Sequence, residues 1–136
     1  MTAEHHDLVI SQSRDDLSGD IIIAPEVMEI IIGIAASKVD GVYSMRGSLA
    51  SNVNELLGRA THDKGVSLKI DDGLRVDLYC YVNYGVSVPK VAMEMQQKVK
   101  QQVLYMTDLE LTEVNVHIVG MIPEQEHNDN SDEKDE

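Results

Sequence analysis

The chain has 136 residues, of which 43% are hydrophobic and only 4% aromatic, a composition that suits one domain with a single aliphatic core. Its net charge of −13 disfavours nucleic-acid binding, because phosphate backbones are normally met by clusters of Lys and Arg. No apolar stretch approaches the roughly 20 residues that span a bilayer, and the N-terminus lacks the apolar segment of a secretory signal. Any membrane contact is therefore expected to be peripheral.

The acidity is concentrated at the two ends of the chain. Residues 1–16 carry a net charge of −3 and residues 124–136 carry −6, which leaves −4 for residues 17–123. Residues 1–18 mix charged and hydroxyl side chains around one short apolar run, and we predict a flexible arm there. Residues 124–136 have almost no apolar side chain to offset the entropy of ordering, so we predict a disordered acidic tail. The folded domain is expected to span residues 19–123.

A short predicted strand over 20–24 leads into the first predicted helix, which begins at Pro25 and runs to about Lys38. This helix is apolar on nearly every side, so either a second layer or another chain has to cover it. The residues whose helical spacing predicts a core stripe are Val27, Ile30, Ile31, Ile34 and Ala35. Met28 and Ile32 fall outside that stripe and are candidates for contact with a partner or with a second copy of the chain.

Gly41 ends this first unit, and a short strand over 42–45 is predicted before Gly47. A short helix is predicted over 51–58, because a serine suited to a helix N-cap precedes it and a glycine suited to a C-cap ends it. A polar loop is expected to follow over 59–65.

A β-hairpin is the clearest local prediction. Apolar residues alternate over 66–70 and again over 74–82, on either side of an Asp-Asp-Gly loop at 71–73. A three-residue loop places Ile70 opposite Leu74 and puts the apolar side chains of both strands on one face.

The other face of the second hairpin strand carries polar and aromatic side chains. Tyr and Arg side chains are enriched at protein interfaces, so the candidates for a partner surface on this face are Arg75, Tyr79 and Tyr81. The alternative is that another layer of the same domain covers them.

A second helix is predicted from Pro89 to about Met106 with a single apolar stripe, and a last strand is predicted over 114–118. Together the elements predict a two-layer α+β domain, in which a small mixed or antiparallel sheet packs against two main helices.

No arrangement of residues indicates catalysis. The chain lacks the G-x-S-x-G, P-loop and G-x-G-x-x-G motifs, and its five histidines do not have the spacing of zinc ligands. Cys80 lies in an apolar alternating segment and is expected to be a buried thiol, which is typical of a reducing compartment. We predict no catalytic residue, no metal site and no cofactor.

Several motifs follow one another in the order found in one bacterial family. They are IIIAPEV at 21–27, VDGV at 39–42, MRG at 45–47, YGVSVP at 84–89 and VNVHIVG at 114–120. In these motifs the chain resembles the bacterial alkaline shock protein family, also called envelope stress response proteins, and in particular its YqhY-like branch in Gram-positive bacteria. The resemblance covers about residues 19–123. The residues that match as positions of the fold are Pro25, Gly41, Gly47, Gly85, Pro89 and Asn115.

The resemblance implies a non-enzymatic, cytoplasmic adaptor or regulator in cell-envelope stress or envelope homeostasis that acts by protein contacts. The partners it implies are a membrane-anchor protein, which would hold the chain at the membrane periphery, and components of acetyl-CoA carboxylase in the control of fatty-acid synthesis. The nearly all-apolar first helix adds self-association to this expectation. The alternative is a small-ligand or lipid-metabolite sensor with a pocket between the sheet and the helices.

Overall fold

The computed structural model describes residues 8–11, 19–47 and 65–123. The predicted helix over 51–58, most of the loop after it and the predicted tail over 124–136 lie outside the described residues, as do four of the five histidines.

The described elements follow the order β-β-α-β-β-β-α-β. They are β1 (Leu8–Ser11), β2 (Ile21–Ile23), α1 (Pro25–Ser37), β3 (Val42–Met45), β4 (Val66–Ile70), β5 (Leu74–Asn83), α2 (Val88–Thr107) and β6 (Glu113–Ile122). Strands β1 and β2 form an antiparallel pair of their own, and the other four strands form the main sheet.

Strand β5 lies at the centre of the main sheet. β6 pairs with it in parallel, from Glu113 opposite Arg75 to Ile122 opposite Asn83, with a register shift after Cys80. On the other side, β3 and β4 both pair with β5 in antiparallel orientation, one beyond the other. The hairpin register is the predicted one. Ile70 lies opposite Leu74, and the apolar residues of β4 pair with apolar residues of β5 along the whole hairpin.

The chain leaves the sheet after β3 and rejoins it at β4 beside the same residue, Tyr79. The amide of Arg46 donates to the carbonyl of Tyr79, and the amide of Tyr79 donates to the carbonyl of Gly65, both at 2.9 Å. Gly65 has a φ of +86°, and a Cβ there would lie 2.7 Å from the Tyr79 carbonyl oxygen. Only glycine fits this junction without strain.

Both helices pack against one face of the main sheet. α1 covers β3 and β4, α2 covers β6, and the two helices also contact each other. Gln96 of α2 donates a hydrogen bond from Nε2 to the carbonyl of Val114 in β6, at 3.0 Å. Because β6 is parallel to β5 and the other strands are antiparallel, the sheet is mixed, and the predicted two-layer α+β class is confirmed.

The core between these layers is aliphatic, as the composition predicts. β5 buries Leu74, Val76, Leu78, Cys80 and Val82, and α2 buries Val91, Met95, Val99 and Val103. Each set keeps the period of its element, two in the strand and about four in the helix. The predicted apolar face of the hairpin and most of the predicted stripe of α2 therefore lie in the core, whereas Met106 at the end of that stripe is 51% exposed.

The predicted orientation of α1 was wrong. Met28 and Ile32, expected outside the core stripe, are fully buried, whereas Val27, Ile30 and Ile34, expected to face the core, are 44%, 53% and 52% exposed. Ile31 and Ala35 are buried as predicted. A helix that is apolar on nearly all sides contains more than one stripe with helical spacing, so periodicity cannot select the buried one. Met28 and Ile32 consequently contact the protein's own core and not a partner.

The predicted flexible arm contains a strand. β1 pairs with β2, placing Leu8 opposite Ile23, and Leu8 is only 7% exposed. For Leu8–Ser11 the prediction of an arm was wrong, because pairing with β2 and burial of Leu8 against the core offset the entropy of ordering the segment.

The residues that match the family as positions of the fold occupy turns and helix starts, except for Asn115, which lies in β6. Pro25 and Pro89 lie in the first turns of α1 and α2, where a proline costs no hydrogen bond. Gly41, Gly47 and Gly85 all have φ between +90° and +101°. Asn115 donates from Nδ2 to Glu113 Oε2 at 3.1 Å.

Candidate interaction surface

The face of the main sheet that points away from the helices is called the open face below. Its residues alternate along β5 with those of the core, so Arg75, Asp77, Tyr79 and Tyr81 share this face and are each partly exposed. The residues of β4 and β6 that pair with these residues of β5 add their side chains to the same face. The three candidates predicted from β5 therefore lie on one surface.

A row of three side chains crosses the open face at Tyr79. The His117 ring stacks on the Tyr79 ring with centroids 4.4 Å apart and an angle of 8° between the planes. The guanidinium carbon of Arg46 lies 4.3 Å from the centroid of the same tyrosine ring. Stacking and cation–π contacts each contribute about 0.5–1 kcal/mol at partly exposed sites, so the row fixes three flexible side chains in place.

Asp77, two residues before Tyr79 on β5, contacts the histidine of this row. His117 Nε2 lies 3.0 Å from Asp77 Oδ1. The hydrogen bond with His117 lowers the pKa of Asp77 below its ordinary value of 3.8, against an opposing effect of partial burial, and Asn115 lowers it further. Asp77 is therefore an ionised carboxylate that orients the imidazole.

Tyr81 packs over a residue without a side chain. It pairs with Gly120 of β6, and a Cβ at Gly120 would lie 3.1 Å from the Tyr81 ring. The glycine gives the aromatic ring space to lie against the backbone of β6, which holds a second tyrosine on the open face.

The open face is more basic than the rest of the chain. Arg75 lies opposite Lys69 of β4 and opposite Glu113 of β6 in the register. Together with Arg46 and Asp77, these side chains give three cations and two carboxylates, in a chain whose net charge is −13. A fixed aromatic row flanked by cations suits a partner that presents carboxylates beside planar or apolar side chains.

The structure separates the predicted interface residues into two groups. Arg75, Tyr79 and Tyr81 come together on the open face, whereas Met28 and Ile32 lie in the core. Arg46 and His117 were not predicted from the sequence to belong to this surface. Alternation along the last predicted strand places His117 and Asn115 on one face, but the strand beside which they lie is set only by the parallel pairing of β5 with β6.

Cys80, the single cysteine of the chain, is buried in the core. Burial raises the pKa of the Cys80 thiol, which lowers its nucleophilicity, and its Sγ lies 3.9 Å from Sδ of Met95. Within residues 8–11, 19–47 and 65–123, no group of three or more His, Cys, Asp or Glu side chains could hold a metal ion. None of the described helices is long and apolar enough to cross a membrane.

Comparison with known proteins places most of the chain in one group of bacterial proteins. The model of the alkaline shock protein 23 family, described as having a cell envelope-related function, matches residues 13–123. The protein YqhY of Bacillus subtilis strain 168 is 50% identical over 109 residues, which cover 79% of this chain and 81% of that protein. Spy1535 of Streptococcus pyogenes serotype M6 is 38% identical over 110 residues, covering 79% of this chain and 82% of that protein.

A more distant relative has a name that describes a role. The stress response regulator gls24 homolog of Streptococcus pyogenes serotype M3 is 29% identical over 107 residues, which cover 77% of this chain but 60% of that longer protein. No solved structure matches the chain significantly.

Proposed function

Since the chain belongs to the alkaline shock protein 23 family, with its cell envelope-related function, we propose that it is a non-enzymatic regulator of envelope homeostasis that binds other proteins through its open face. The observation that supports this proposal is the row formed by Arg46, Tyr79 and His117, which presents two stacked rings and a guanidinium at a partly exposed surface. Side chains held in place before binding lose little entropy when a partner docks.

The proposal extends to location and partners. A regulator of this kind would act in the cytoplasm and reach the membrane through an anchor protein, or would bind components of acetyl-CoA carboxylase and so affect fatty-acid synthesis. The resemblance of the motifs to the YqhY-like branch supports these partners. The basic character of the open face supports a partner surface rich in carboxylates.

The test compares one substitution on the open face with the same substitution elsewhere. Tyr79→Ser removes the centre of the row, whereas Tyr105→Ser removes a tyrosine that is 84% exposed on α2. Each variant, and the wild type, would be crosslinked in cells of the source organism and the captured proteins quantified by mass spectrometry.

We expect the wild type and Tyr105→Ser to capture a membrane-anchor protein or carboxylase components, and Tyr79→Ser to capture at least about tenfold less, as for an interface hot spot. Circular dichroism would check that all three proteins are folded. Failure of the wild type to capture any protein reproducibly would contradict the proposal, as would equal capture by both variants.

The alternative, a sensor of a small ligand or lipid metabolite, requires a cavity between the sheet and the helices. Two clefts of the described chain, of about 370 and 360 Å³, lie instead in the outer seam between α1 and α2. The second has an apolar floor that includes Ile30 and Ile34, beside Lys38 and Lys98. A rise in melting temperature with acyl metabolites, lost on Ile34→Glu, would favour this alternative.

A further inference from the structure

One edge of the main sheet has no strand beside it among the described residues, because β6 pairs with β5 on one side only. Successive residues of a strand direct their N–H and C=O groups to opposite sides. Tyr79 directs both of its groups toward β3 and β4, so its neighbour in β6, His117, directs both of its groups toward β5. Val116 and Ile118, on either side of His117, therefore direct theirs toward the open edge.

Val114 confirms this orientation. Its carbonyl accepts the hydrogen bond from the side chain of Gln96, which reaches over the edge from α2. That bond satisfies one edge carbonyl near the start of β6. Among the described residues nothing bonds to the edge-facing groups of Val116 and Ile118 further along the strand, so they can act as a template for another strand.

The edge lacks the residues that usually prevent such pairing. Residues 114–122 contain no Lys, Arg, Asp, Glu or Pro, which are the residues that natural edge strands use for this purpose. Two apolar side chains of the same stretch, Val119 and Met121, are 43% and 44% exposed. An edge of this composition favours association over solvation.

We propose that β6 pairs with β6 of a second copy of the chain, in antiparallel orientation, about a two-fold axis perpendicular to the sheet. The two main sheets then form one continuous sheet. Because the axis is perpendicular to the sheet, both helix layers lie on one side of it and both open faces on the other. The polar and apolar sides of the two sheets are thus continuous across the junction.

The distribution of charge along the chain favours a second copy as the partner of β6, and favours antiparallel pairing of the two strands. The chain has a net charge of −13, but its β6 edge carries no charged residue from 114 to 122, so two copies meet where repulsion is weakest. The acidic segment 124–136, with a net charge of −6, follows β6 directly. Antiparallel pairing makes the two acidic segments leave from opposite ends of the junction, whereas parallel pairing would bring them together.

The size of the contact predicts a reversible dimer. An edge-to-edge contact involves one strand and a few side chains from each copy, which is less than the roughly 1,600 Å² buried in a standard interface. The fraction of dimer should therefore depend on concentration, rising between about 10 µM and 1 mM.

The experiment combines the mass in solution with the protection of individual amides. Analytical ultracentrifugation should show the mass rising with concentration from 15.1 kDa toward twice that value. Over the same range, hydrogen exchange of the Val116 and Ile118 amides should slow. The proposal does not depend on the proposed function, so Tyr79→Ser should dimerise like the wild type.

Matched variants test the edge itself. Met121→Lys places a lysine at the edge and should weaken the dimer at least about tenfold, whereas Met93→Lys makes the same change on an exposed part of α2 and should not. Val119→Lys is a second edge variant, to be used if Met121→Lys is not folded. A wild type that remains monomeric up to about 1 mM would overturn the proposal, as would a dimer that withstands both edge variants or leaves the β6 amides unprotected.

Discussion

Tyr79 connects three strands through both its backbone and its ring. Its amide and carbonyl bond to Gly65 and Arg46 at the ends of β4 and β3, while its ring stacks on His117 of β6. Tyr79 therefore bonds through its backbone to the chain at the junction of β3 and β4, and its ring lies at the centre of the row on the open face. A substitution at Gly65 is expected to disturb both, because a Cβ there meets the Tyr79 carbonyl.

The pair formed by Asp77 and His117 should make stability depend on pH. The folded pKa of Asp77 is lowered from 3.8, so its stabilising effect is present above that value and is lost as the pH falls through the lower, folded pKa. The two side chains are 22% and 43% exposed, which limits the effect to about 0.2–1 kcal/mol. Asp77→Asn should lower the free energy of unfolding by that amount at neutral pH, and urea denaturation should show the difference from wild type disappearing as the pH falls below 3.8 and through the folded pKa.

A control for this effect is the same comparison in the background of His117→Gln. Without the imidazole, Asp77→Asn should have little effect at any pH, since the largest cause of the pKa shift is gone. A difference between wild type and Asp77→Asn that does not change with pH would contradict the assignment.

At the scale of the elements, α1 has two apolar faces with different roles. Met28, Ile31 and Ile32 face the core, while Ile30 and Ile34 line the outer cleft between α1 and α2. The helix lies close to the sheet at Gly33, since a Cβ there would meet Cγ2 of Val66 in β4 at 3.5 Å, an ordinary van der Waals distance. Tertiary contacts with the sheet, and not the spacing of apolar residues, therefore select the buried face.

The same substitution on the two faces of α1 should have very different costs. Ile32→Ala leaves a cavity in the core and should lower the free energy of unfolding by about 2–5 kcal/mol. Ile34→Ala removes a side chain that is 52% exposed and should cost less than about 1 kcal/mol. Urea denaturation at low protein concentration measures both values. Equal costs would mean that the outer face is covered in solution.

At the scale of the whole molecule, the two faces and the β6 edge of the main sheet are three different surfaces. The helices cover one face of the main sheet, the partly exposed open face lies on the other side, and β6 is an edge strand among the described residues. The pair of β1 and β2 contributes Leu8 to the core from outside the range covered by the family motifs.

Truncation at the N-terminal end should therefore destabilise the protein, whereas truncation at the C-terminal end should not. Deletion of residues 1–11 removes β1 and the buried Leu8, and should lower the free energy of unfolding by about 1–3 kcal/mol. Deletion of residues 124–136 removes the segment predicted to be disordered and should leave the melting temperature unchanged. Differential scanning calorimetry distinguishes the two. An unchanged melting temperature after the N-terminal deletion would contradict the contribution of β1.

Much of the fold was predictable because the hairpin and the helices depend on interactions between residues that are close in the sequence. The hairpin register followed from the Asp-Asp-Gly loop and the alternation on either side of it, and α2 followed from its single apolar stripe. The site was predictable only along β5, where Arg75, Tyr79 and Tyr81 belong to one strand face. Arg46 and His117 were missed because they reach Tyr79 from strands that are distant in sequence.

The sequence by itself determined the α+β class, the family and the positions of most elements, since periodicity, turn residues and ordered motifs are local properties of a chain. Only the tertiary structure decided which side of α1 is buried, that β6 lies parallel to β5, and that Tyr79 of β5 makes contacts at β3, β4 and β6. The physical reason is that packing and strand pairing are set by contacts between segments far apart in sequence. An all-apolar helix and an unpaired edge strand contain no local feature that fixes their neighbours.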